Sequence, residues 1–144
     1  MKYEIGGSGG DVEGLRRLLD RPNADHTMAD SYSRLTADMR ECGGGFIWVV
    51  PDARGIPLEM YHIPVAEATI HVPDADYPEG HYRIWLSSRD RHANVVIEPE
   101  WMMYPRCPDP AASDAEIADR VSAALTKHVA RRFGENLTVT VLPS

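Results

Sequence analysis

A chain of 144 residues fits a single domain and is long enough to bury a core of its own. Its 43% hydrophobic and 26% charged content is that of an ordinary globular protein. A net charge of −7 and a pI near 5.3 speak against a chain that grips nucleic acid by neutralising phosphates.

Residues 1–5 have the makings of a short strand, and GGSGG follows. Gly6, Gly7, Ser8, Gly9 and Gly10 satisfy Gly-x-Ser-x-Gly, the elbow that presents a hydrolase nucleophile, here Ser8. They also stand between a strand and a helix, where a phosphate-cradling loop belongs, so a small hydrolase or nucleotide-binding enzyme is the alternative reading. The lysine and Ser/Thr of a P-loop are missing, however, and a hydrolase elbow follows several strands of a parallel sheet. Composition favours a flexible Gly/Ser-rich lead-in over residues 1–10 and a single domain over residues 11–144.

Residues 11–19 form a short predicted helix with Val12, Leu15, Leu18 and Leu19 on one side. A polar break at 20–25 precedes the main helix, which Thr27 caps with Asp30 as its acidic partner. Met28, Tyr32, Leu35, Met39 and Cys42 recur at helical spacing, and Gly43, Gly44 and Gly45 stop the helix. The apolar run at 46–50 reads as a strand, 51–55 as a turn, and 58–63 as the returning strand.

Residues 66–72 alternate, which puts Ala68, Ile70 and Val72 on one face and Thr69 and His71 on the other. A turn at 73–80 leads to a strand at 81–86, with Tyr82, Ile84 and Leu86 opposing His81, Arg83 and Trp85. A charged turn is expected at 87–92 and a further strand at 93–97. Four prolines keep 98–110 from being a long helix or a central strand, leaving Trp101, Met102, Met103 and Tyr104 as an edge strand. Ser113 and Glu116 form a capping-box pattern for a helix striped with Ile117, Val121, Leu125, Val129 and Phe133. Arg131 and Arg132 suit its negative end, Gly134 stops it, and 137–142 close the chain as a strand. The predicted fold class is α+β, with about three helices and a mainly antiparallel sheet.

The chemistry-bearing residues all have plain readings. His62, His71, His81 and His92 lack metal-type spacing and are expected to be solvated. Asp74, Asp76 and Glu79 read as turn residues rather than cation ligands. Trp48, Trp85 and Trp101 read as core or interface groups. Cys42 and Cys107 read as two reduced thiols in a cytoplasmic chain, since no signal-peptide core and no membrane span are evident. No catalytic, cofactor-binding or metal-ligating residue is assigned, and neither an enzyme nor a cofactor is expected.

The order of motifs resembles the portal proteins of tailed bacteriophages of the lambdoid-capsid type. Pro22-Asn23 before the main helix, Gly44-Gly45 at its end, Asp52-Ala53-Arg54-Gly55-Ile56-Pro57 in the turn and Met60-Tyr61-His62-Ile63-Pro64 in the next strand stand at matching places. Tyr77 to Arg83 and the Pro-Arg-Cys-Pro-Asp-Pro run at 105–110 are similar to further portal segments. Two positions depart: Gly45 replaces the usual Asn, and Pro51 the usual Arg. The resemblance covers only an N-terminal, wing-like portion of a much longer family. It implies a structural head-tail connector subunit in a homo-oligomeric ring, with capsid and terminase proteins as partners and DNA passing without sequence-specific binding. The location implied is the virion, and the host cytoplasm during assembly. Self-association is then expected through an apolar surface at Trp85 and the strand at 101–104.

Overall fold

The computed structural model describes residues 1–88 and 91–143, with the side chains of 86–93 left aside, so the side-chain readings of Leu86 and His92 and the centre of the turn expected at 87–92 lie outside what is described. Strand β1 (Lys2–Gly6) leads to helix α1 (Val12–Asp20), which Asp11 caps by accepting the Gly14 N–H at 2.9 Å. Helix α2 (Met28–Cys42) opens with the reciprocal Thr27–Asp30 box expected from the sequence, both bonds being 3.2 Å. Gly43 ends it in the left-handed conformation, φ +79°, and donates to the Met39 carbonyl.

Strands β2 (Phe46–Pro51) and β3 (Pro57–Ile63) form the expected hairpin. A short 3₁₀ turn precedes β4 (Ala68–His71), β5 (His81–Ser88) and β6 (Arg91–Ile97), and β7 (Met102–Met103) returns to pair with β2. Helix α3 (Asp114–Leu125) runs through a π-helical turn, Thr126–Ala130, into a last turn, Arg131–Phe133, and β8 (Thr138–Leu142) closes the chain. The sheets, β1–β8, β3–β2–β7 and β4–β5–β6, are all antiparallel, so the fold is α+β as expected.

The β3–β2–β7 sheet is the middle layer, buried on both faces. Ile47 sits opposite Met103 and Val49 opposite Met60, and all four join the helix-side core with Leu15, Leu19, Leu35, Met39 and Leu125. Phe46 sits opposite Ile63 and Trp48 opposite Met102; Phe46, Ile63 and Met102 join Ile84 and Ile97 of the outer sheet in a second core. The period-2 pleat thus divides one apolar run between two cores.

Two of the sheet edges, those of β3 and β8, are met by polar groups from outside the sheets. The Met60 N–H donates to the Pro22 carbonyl at 2.8 Å, and Asn23 Nδ2 donates to the Met60 carbonyl at 2.8 Å. Asn23 Oδ1 also accepts the Asp25 and His26 N–H groups, so this buried amide is well satisfied. On β8, the Val139 N–H donates to Thr126 Oγ1 at 3.0 Å and the Val141 N–H to Ser122 Oγ at 2.8 Å.

Several expectations change. The short strand expected at 1–5 does form, as β1, inside the segment read as a flexible lead-in: Ile5 pairs with Val139, and the Tyr3 hydroxyl donates to Asp20 at 2.5 Å. Burial and that bond push the Tyr3 hydroxyl pKa up to about 12. Of the face that carries Ala68, Ile70 and Val72, Ile70 and Val72 are 55% and 78% exposed, because the core beneath β4 ends near Ala68. Strands β5 and β6 continue to Ser88 and from Arg91, beyond the limits 86 and 93. The long C-terminal helix is broken by its π turn, where Thr126 turns to β8. Ser113 Oγ accepts the Glu116 N–H, while the Glu116 carboxylate pairs with Arg120. Met102 and Met103 are buried rather than on an apolar surface, since their short strand lies between the two cores.

Two substitutions test this arrangement by urea unfolding. Met103→Ala is expected to cost about 2–4 kcal/mol through the cavity left beside Ile47. Asn23→Ala should cost about 1–3 kcal/mol, because it strands the Met60 carbonyl and two amides.

Candidate interaction surface

The outer face of the β4–β5–β6 sheet gathers the polar strand residues that the sequence places opposite the core. Register sets Thr69 beside Arg83, His71 beside His81 and Asn94 beside Trp85. A depression of about 280 Å³ is lined by Thr69, His71, Arg83, Trp85 and Asn94. Trp85 is 49% exposed, so of the apolar surface expected at Trp85 and 101–104 this residue is what faces solvent. Trp101 is half-buried under the Arg132 guanidinium, 4.7 Å from its ring, and Tyr104 stacks on Phe46 at 4.5 Å. Trp48 is half-buried against Tyr61, as a core reading expects.

The histidines are not uniformly solvated. His81 is buried because the 73–80 turn folds over it: Asp74 Oδ1 accepts the Asp76 and Tyr77 N–H groups, and the Tyr77 ring lies 4.3 Å from the imidazole. The His71 ring stacks on the imidazole as well, at 4.5 Å and 13°. Arg83 Nε donates to His81 Nε2 at 3.1 Å. Burial first, then the nearby His71 and Arg83 charges, lower the His81 pKa. His62 is partly buried on the helix side, 2.7 Å from Asp38 of α2, because its register position faces the helices. His71 is half-buried and shares a 2.9 Å hydrogen bond with Thr69.

Asp74 spends its carboxylate on the turn, as expected. Asp76 and Glu79 instead line a groove of about 400 Å³ with Glu98 and Glu100, and Glu100 is paired with Arg132 at 2.8 Å. Among the described residues no three His, Cys, Asp or Glu side chains cluster to hold a metal ion, and no helix is long and apolar enough to cross a membrane. Cys42 is exposed and Cys107 buried, both as free thiols.

Ser8 is exposed on the loop between β1 and α1. Strand β1 pairs antiparallel with β8, which is not the parallel-sheet setting of a nucleophile elbow. The N-terminus of α1 already holds the Asp11 carboxylate, which opposes a second anion there. Gly10 is constrained by packing: its φ is +72°, and a Cβ on it would meet the Phe133 carbonyl at 2.5 Å. The Asp11 N–H donates to that same carbonyl at 2.8 Å.

Among solved structures, the protein is similar to a chain in the neck of a native gene transfer agent particle computed with C12 symmetry. The TM-score is 0.51 at 16% identity, over 87% of this chain and 36% of that one. A chain in the virion of a native gene transfer agent particle matches with a TM-score of 0.50 at 19% identity, over 78% of this chain and 34% of that one. The likeness is one of fold. This chain spans about a third of the length of those particle chains. No protein-family model matches it, and no curated protein matches it significantly.

The sequence carries little sign of the His71–His81–Tyr77 stack or of the Asp38–His62 pair. The first was half-signalled: His71 and His81 fall on the outward face of adjacent strands, ten residues apart around a Pro/Asp/Gly turn. The second joins residues 24 positions apart and had no local signal.

The glycine loop supplies a discriminating experiment. Ser8→Ala should change stability by no more than about 0.5 kcal/mol, whereas Gly10→Ala should cost more than about 1 kcal/mol in thermal unfolding.

Proposed function

We propose that the chain is a non-catalytic structural domain of a head-tail connector, and specifically the wing-type part of a portal ring through which DNA passes. The observation that carries this reading is the likeness in fold to the neck chain of a C12 particle, over most of this chain and about a third of that one.

The motif residues support it by what they do here. Pro22 and Asn23 seal β3, and Asp52 Oδ1 accepts the Arg54 and Ile56 N–H groups to shape the hairpin turn. These are framework roles, consistent with a family held together by architecture. A net charge of −7 suits a conduit past which DNA slides without being held. The partners are further copies in the ring, with capsid and terminase proteins at its two ends. Assembly takes place in the host cytoplasm and the product resides in the virion.

Gold-labelled antibody against this chain, applied to purified particles, should mark a single position at the junction of head and tail. Label spread over the shell, or particles that lack the chain altogether, would overturn the connector reading.

A further inference from the structure

We propose that His81 is a pH-sensitive latch: neutral, it holds the 73–80 turn against the outer sheet, and protonation releases that turn. The proposal stands apart from the connector reading and rests on the ring geometry.

His81 is 4% exposed and lies between two aromatic faces, His71 from β4 and Tyr77 from the turn. Arginine has only donors, so the Arg83 Nε–H bond makes His81 Nε2 an acceptor and puts the proton of the neutral ring on Nδ1. Buried Nδ1 has no hydrogen-bond partner among the described residues. A second proton would therefore go to Nε2, facing the guanidinium, and neither ring nitrogen would find an acceptor.

The titratable and charged groups that face His81 are His71 on β4, Asp74 and Tyr77 in the turn, and Arg83 on its own strand. The one carboxylate among them, Asp74, is already engaged by two backbone amides of the turn. Protonation would thus put positive charge on His81 beside the permanently charged Arg83, against a single occupied counter-ion. The turn has little else to keep it in place, since residues 73–76, Pro78 and Glu79 are exposed. Its return to the sheet depends on Gly80, φ +81°, where a Cβ would meet the His71 carbonyl at 2.7 Å.

The sign follows from linkage. The folded pKa of His81 lies below the unfolded value of about 6.5, so above that value both states are neutral and nothing is lost. As pH falls through it, the unfolded or turn-released form takes up the proton first, and the latched form loses stability.

NMR of the wild-type chain, titrated from about pH 8 to about pH 4.5, tests the latch directly. The His81 ring should titrate below its ordinary range, and the Asp74, Tyr77 and Gly80 amides should shift with the same midpoint. After correction for intrinsic rates, hydrogen exchange in 73–80 should rise at least about tenfold relative to β2 on acidification. His81→Phe keeps a ring under Tyr77 and cannot be protonated, so its turn should show no such rise. Turn amides that fail to track His81, or the same acid release in His81→Phe, would overturn the latch. Should that variant not fold, His71→Gln takes its place. Removing a cationic neighbour should raise the His81 midpoint and the release midpoint together, and an unmoved release midpoint overturns the proposal.

Discussion

Strand β2 is hydrogen-bonded along both edges and apolar on both faces, and the rest of the molecule is arranged to satisfy those two conditions. Its two edges are met by β3 and by the two-residue β7. Its two faces are met by the helices and by the outer sheet. Because the pleat alternates, Ile47 and Val49 go to one core while Phe46 goes to the other. Met102 and Met103, adjacent in sequence, divide in the same way. A one-residue slip of β7 would exchange them and put each against the wrong core.

Stacking layers on a central sheet leaves edges, and at β3 and β8 a backbone carbonyl and short polar side chains occupy part of them. Pro22 and Asn23 act as a substitute strand for β3, offering one acceptor and one donor at Met60. Ser122 and Thr126, four residues apart on the C-terminal helix, do the same for β8. Open edges are templates for pairing with another chain.

That outer sheet is the chemically varied part of the molecule. Its inner face is ordinary core, while its outer face carries His71, His81, Arg83 and Trp85 under a turn shaped by Asp74. The burial of His81 comes from that turn and not from the strand, so the same residue would be solvated if the turn were elsewhere. Charge is distributed to match. Asp76, Glu79, Glu98 and Glu100 line the neighbouring groove, and Arg132 reaches it from the C-terminal helix to pair with Glu100 and cover Trp101.

The sequence by itself determined the elements whose causes are local. The Thr27–Asp30 box, the Gly43 stop, the β2–β3 hairpin and the apolar stripe of α3 are set by residues within a few positions of one another, and each stands where the residues predict it. The α+β class follows from their order. What only the tertiary structure decided depends on partners far away in the chain. Met102 and Met103 are buried because β7 inserts beside β2, far upstream in the chain. Ile70 is exposed because the core stops short of it, although its alternation is that of a buried strand. His81 and His62 find their neighbours across a turn and across a helix–sheet interface. Periodicity reports which residues share a face; it carries no information on what covers that face, and in this protein the covering distinguishes a solvated histidine from a buried one.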